Sequence, residues 1–180
     1  MKVETAFSAS PEIRLAPDET GTISGYAAVW GQPDAFGDVL VRGAFSASLA
    51  QHRAAGTRPL MLWSHDPAAP VGVWDEVIED ERGLRVAGRL VLDATAGRDA
   101  FALLKAGAVD GLSIGFRTIK AASTKTGRRV EAVDLIEVSL VTRPAQGAAR
   151  VTAIRSVSPA AGLAAIINAA TERLRKDKHQ

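Results

Sequence analysis

The chain has three histidines, His52, His65 and His179, and no cysteine. Histidine-dependent chemistry is therefore confined to three positions. Thiolate zinc sites, cysteine nucleophiles and disulfide staples are excluded together. A serine becomes a nucleophile only when a base removes its proton and a third group holds that base in the right tautomer. Three separate stretches supply the residue types for such a set: His65 in MLWSHDP, Ser113 in GLSIGF and Glu137 in DLIEVSLV. Their order, histidine, serine, acid, differs from the three familiar hydrolase orders, but triads are defined by geometry and not by chain position. Gly111 to Gly115 spells GxSxG, but it reads as an extended strand and not as the strand-to-helix elbow on which the α/β-hydrolases carry that motif, and HExxH does not occur. There is no Gly-rich phosphate loop, no paired-carboxylate signature and no histidine pair at metal-ligand spacing, so neither a cofactor nor a metal is expected.

Read as a strand, GLSIGF places Leu112, Ile114 and Phe116 on one apolar face and Gly111, Ser113 and Gly115 on the other. A hydroxyl flanked at i−2 and i+2 by residues without side chains stands clear of its own strand, where a substrate backbone could approach it. The alternative is a strand whose glycines serve tight packing around an incidental serine. His65 ends an apolar run, residues 58–65, ahead of Pro67, which is expected to stop the ladder and leave His65 entering a turn. It is either a catalytic side chain or a core histidine bonded to a backbone carbonyl. In the strand of residues 129–142, Glu137 shares a face with Val133, Leu135, Ser139 and Val141. A carboxylate there requires either a partner or water at a barrel rim.

The elements that must position these residues follow from patterning. At 180 residues, 47% apolar and 23% charged, the chain suits one globular domain with some tail. A net charge of +2 gives no electrostatic footprint for nucleic acid. No apolar run approaches a membrane span or a signal peptide, so a soluble intracellular protein is expected. Strands are expected at residues 20–31, 39–41, 71–78, 83–92 and 150–154, with a hairpin turn near residues 79–81. A helix over residues 43–54 puts Phe45 and Leu49 on one face, and His52 at its frayed end reads as a solvated surface residue. Thr95 is placed to N-cap a helix over residues 96–105 that Gly107 stops. The basic stretch 120–129 is expected to be an exposed hairpin loop. Residues 1–20 read as an arm, 21–156 as the principal domain, and the alanine-rich 157–180 as a helical tail with cations at its end.

Several blocks in order, GYAAVWG, GDVLVRGAF, LMLWSHDPAAPVGVW, RGLRVAGRL, LLKAGAVDGLSIGF and VDLIEVSLVTRPA, resemble the prohead maturation proteases of the HK97-type tailed phages. The resemblance spans about residues 23–151 and implies a herpesvirus-protease-like fold, a mainly β barrel with flanking helices (α+β). It implies a serine endopeptidase with Ser113 as nucleophile and His65 as general base. The herpesvirus enzymes use a second histidine as the third member. No histidine lies between His65 and His179 here, so Glu137 is the candidate, with Asp134 behind it. TRPAQG departs from the family's usual T-F/N-P-A-N and leaves the oxyanion donors unassigned.

The same resemblance implies a partner and a place. The enzyme would act in the host cytoplasm inside the immature prohead, removing the scaffolding segment of the major capsid protein and digesting itself. The particle could be a phage or a gene transfer agent. Self-association, as a dimer, is expected by analogy, and neither nucleic acid nor membrane is expected as a partner. A catalytically inactive scaffold component and a small-molecule esterase are the competing readings. The helical tail would tether the enzyme to scaffold. Deleting residues 159–180 should then reduce its packaging into proheads, measured by its abundance in purified particles; undiminished packaging would refute the tether.

Overall fold

The computed structural model describes residues 18–157, with side-chain surroundings over 21–154. Of the expected arm, residues 1–20, and the expected tail, residues 157–180, only residues 18–20, in β1, and 157, in β8, are described; residues 1–17 and 158–180 lie outside the described residues. Ten elements follow in chain order: β1 (Asp18–Val29), β2 (Asp38–Leu40), α1 (Ser46–Ala55), β3 (Leu60–Trp63), β4 (Asp66–Glu79), β5 (Gly83–Leu90), α2 (Thr95–Lys105), β6 (Gly111–Ser123), β7 (Arg128–Val141) and β8 (Arg150–Val157). Among the described residues, seven strands close on themselves in the order β7-β3-β4-β5-β1-β8-β6, and β6 pairs back onto β7. The expected mainly β barrel with flanking helices is the fold observed.

Closure follows from β7, which is long enough to serve several neighbours. One edge pairs antiparallel with β6 along its whole length. The other edge takes β2 at Arg128 to Val130 and β3 at Glu137 to Leu140, both parallel. Between them the ladder would be open, and α1 with the turn before it closes the gap. Val133 N donates to Ala44 O at 3.0 Å, and Leu135 N donates to Ser48 Oγ at 2.9 Å. Leu135 O accepts from His52 Nε2 at 3.0 Å, while His52 Nδ1 meets Thr57 Oγ1 at 2.9 Å. His52 is thus a half-buried structural residue and not a solvated one. Buried backbone groups need partners, and this edge demanded three.

The interior is filled by Ile23, Met61, Val71, Trp74, Leu84, Val86, Leu112, Leu135 and Leu140, each at most 2% exposed. Trp74 also donates its indole N–H to Val138 O at 3.1 Å, spanning from β4 to β7. Helix α2 lies against β4 and β5, brought close by Gly97, where a Cβ would strike the Val91 carbonyl.

Three local expectations change. The N-cap of α2 is Ala94, and Thr95 stands one residue inside, its hydroxyl accepting from Arg98 Nη2 at 3.2 Å. Pro67 does not stop the ladder: it lies within β4, whose register to β3 shifts twice near its start, where a missing N–H is tolerated. The basic loop is only Thr124 to Gly127, because the flanking residues extend as a ribbon laced by the Lys120–Glu131 pair at 2.7 Å.

Asp80 organises the β4–β5 turn. Its carboxylate accepts from Tyr26 Oη at 2.8 Å, from Arg82 N at 2.8 Å and from Gly83 N at 3.0 Å. Burial alone would raise its pKa, but the Tyr26 hydroxyl, the two amides and Arg85 outweigh it and hold the carboxyl below its ordinary value. A depressed acid stabilises the fold fully above the unfolded-state value and loses that contribution as pH falls through the folded one. Asp80→Ala should therefore cost about 1–3 kcal/mol near neutral pH. In urea melts its deficit against the parent should shrink as the solution is acidified through the carboxyl range; a pH-independent deficit would contradict the assignment.

Candidate active site

Serine 113 lies near the start of β6, directly across from Ser139 on β7. Two residues further, Gly115 faces Glu137, and the next pair is Phe116 with Leu135. Ile136 is therefore an extra residue in β7, a β-bulge. Its effect is to change which side chains face inward. Upstream, Val133 and Leu135 are fully buried in the core; downstream, Val138 and Leu140 are. Strict alternation would have put Glu137 beside Leu135. The bulge instead sends Glu137 and Ser139 to the opposite face, the one that carries Ser113.

The two glycines around Ser113 serve this arrangement differently from the expectation of open access. A Cβ on Gly115 would collide with the Glu137 carboxylate, and one on Gly111 would strike Val141 O and Pro144. Gly115 is the space in which the acid lies.

His65 arrives from the β3–β4 hairpin. Trp63 pairs with Asp66, so Ser64 and His65 form a two-residue loop, with φ of 50° and 64°. Both residues are left-handed, as a type I′ turn requires, and Asn-Gly is the usual occupant. Two non-glycine residues there are strained. The turn is held by β7: Ser64 N donates to Leu140 O at 2.9 Å, and His65 N donates to Ser139 Oγ at 3.0 Å.

The imidazole then reaches the acid. His65 Nδ1 lies 2.5 Å from Glu137 Oε1, and Ser139 Oγ donates to Glu137 Oε2 at 2.7 Å. Glu137 is buried, while the His65 side chain is 44% exposed. A carboxylate only accepts, so Nδ1 donates to it, and Nε2 takes no part in that contact. Asp134 is turned elsewhere, half-exposed and 3.9 Å from Arg117. The structure thus joins His65 to Glu137 and not to Asp134.

Ser113 and His65 line one cleft of about 420 Å³, together with Asp34, Phe36, Asp38, Ile114, Phe116 and Arg128. Among the described residues the Ser113 hydroxyl has no hydrogen-bond partner and is not sealed from the cleft. In the same cleft, the buried Asp38 receives Arg128 in a two-pronged ion pair, Nε to Oδ1 at 2.9 Å. The TRPAQG segment borders the serine through Ala145. Gln146 is buried and fully committed: Oε1 accepts from Val29 N at 2.6 Å, and Nε2 donates to Val29 O and Gln32 O at 2.9 Å each. Its amide has no hydrogen left for an oxyanion. Sequence reasoning missed Ser139, Ser64 and Gln146. Only Ser139 carried a signal, two residues from Glu137 on the same strand face.

The profile of the caudovirus prohead serine protease family matches residues 9–161. The chain is 35% identical over 161 residues to the prohead protease of Enterobacteria phage HK97, covering 86% of this chain and 70% of that protein. It is 29% identical over 166 residues to the capsid polyprotein of Pseudomonas phage PAJU2, covering 87% of this chain but spanning only 23% of that polyprotein. In fold it is similar to the bacteriophage T4 capsid assembly protease, with a TM-score of 0.58 at 14% identity over 68% of this chain and 82% of that one. The barrel, the matched profile and the HK97 relative agree: the chain belongs to the caudovirus prohead serine protease family.

Proposed function

We propose that the chain is a serine endopeptidase that removes the scaffolding segment of a major capsid protein inside the immature prohead, and cleaves itself. Ser113 is the nucleophile, His65 the general base and Glu137 the group that orients the base. The observation that carries this reading is the 2.5 Å contact between His65 Nδ1 and Glu137 Oε1 beside a serine hydroxyl in the same cleft. Nε2 takes the Oγ proton as Oγ attacks the scissile carbonyl carbon. The imidazolium, held by Glu137, then protonates the leaving amine, and water releases the acyl group by the same route. The exposed imidazole closes on Ser113 when a substrate covers the cleft, as catalytic hydrogen bonds commonly tighten in the bound state.

A peptide suits this cleft better than a small ester. Among the described strands, β6 pairs on its β8 side only at Gly111, so the edge running on from Ser113 is open. Ile114, Phe116 and Thr118 of that edge line the cleft. An extended chain can add there as a strand, with its backbone hydrogen-bonded and alternate side chains in contact. The HK97 relative is a prohead protease and the PAJU2 relative a capsid polyprotein, which favours a capsid protein as the partner.

Co-expression with the capsid protein of the same particle, read by intact mass, tests the reading. The parent should yield shortened capsid protein; Ser113→Ala and His65→Ala should each cut the rate by roughly 10³-fold or more, since such residues act as a unit. Identical full-length capsid protein with the parent and with Ser113→Ala would sink it. Glu137→Gln should slow cleavage roughly 10²–10⁴-fold, because a misoriented base is nearly useless. Gly115→Ala should leave a folded barrel by circular dichroism yet lose most activity, its new methyl displacing the acid.

A further inference from the structure

We propose that Ser139 is a positioning residue that sets the Glu137 carboxylate and the strained His65 turn through one hydroxyl; this rests on the assignment of Ser113, His65 and Glu137 above. Ser139 is fully buried, so it touches no substrate. Its Oγ donates to Glu137 Oε2 at 2.7 Å and accepts from His65 N at 3.0 Å. A hydroxyl has one hydrogen and two lone pairs, and here the hydrogen is spent on the acid and a lone pair on the turn.

Both consequences bear on the base. Glu137 Oε1 is occupied by His65 Nδ1, and Oε2 would be a buried, unsatisfied oxygen without Ser139. Such an oxygen is costly, and the carboxylate would rotate to recover a partner. At the other end, Ser64 and His65 occupy left-handed conformations that persist only when their surroundings impose them. The His65 amide is tied by the Ser139 hydroxyl, so backbone and ring of the same histidine are referred to one atom on β7. Because Ser139 pairs across from Ser113, that atom stands on the strand pair that also fixes the nucleophile. The histidine is thereby located relative to the serine through a route independent of any direct contact between them.

The test uses the full chain and an aryl fluorophosphonate, with kinact and KI measured for labelling of Ser113. Ser139→Ala should lower kinact roughly ten- to a hundred-fold, the order seen when a group supporting a functional imidazole is lost, with KI unchanged. In a Glu137→Gln background the further effect of Ser139→Ala should largely vanish, since both act on one chain of contacts. Should Ser139→Ala fail to fold, Ser139→Cys, close in volume but a poorer hydrogen-bond partner, carries the same expectation. A kinact within about two-fold of the parent in a folded variant would overturn the inference, as would a loss that multiplies undiminished with Glu137→Gln. A parent that is not labelled, or labelling that survives Ser113→Ala, defeats the nucleophile assignment and this inference with it. That result differs from the Ser139-specific failure, in which parent and Ser139→Ala both label at Ser113 with equal rates.

Discussion

The pairing of β6 with β7, and the extra β7 residue opposite Gly115 and Phe116, decide the geometry of this site. Side chains alternate along a strand, so a one-residue slip exchanges its faces. Ile136, 39% exposed, absorbs that slip. Without it, either Glu137 and Ser139 would face the core, or Val133 and Leu135 would face outward. With it, the hydrophobic interior is continuous and the polar residues of β7 stand beside Ser113. The bulge is therefore both a packing device and the means of assembling the cluster.

A buried carboxylate is tolerated only if its oxygens are satisfied. Glu137 meets this with the His65 ring on one oxygen and Ser139 on the other. The vacancy at Gly115 admits it. The same logic runs along the rest of β7, where Ala44, Ser48 and His52 complete the edge between β2 and β3. Chemistry and barrel closure thus draw on a single strand. The strained hairpin that presents His65 can exist because β7 holds it at Ser64 and at His65.

The cleft around the serine also depends on longer-range ties. Gln146 clamps the segment after β7 to the end of β1, and Ala35 N donates to Ala145 O at 2.8 Å. Asp38 and Arg128 join β2 to the start of β7. Each of these ties joins residues far apart in the chain, so the cleft exists only once the barrel has closed.

Local patterning was enough to identify most strands, both helices, the strand carrying Ser113 and the strand carrying Glu137, because amphipathic alternation and turn residues act over a few positions; the mainly β barrel was an implication of the family resemblance. A candidate set of histidine, serine and acid was likewise legible as residue types. The blocks from GYAAVWG to VDLIEVSLVTRPA pointed to the family for the same reason: they are contiguous. What neighbours in the chain could not decide was the facing of Glu137, since a bulge is a property of two paired strands and leaves no mark on either alone. Nor could they separate Glu137 from Asp134, or reveal that Gly115 makes room for an acid, that His52 completes a ladder and that Ser139 joins ring, turn and carboxylate. Each of those depends on atoms far apart in the chain meeting within hydrogen-bond distance, which only the closed barrel brings about.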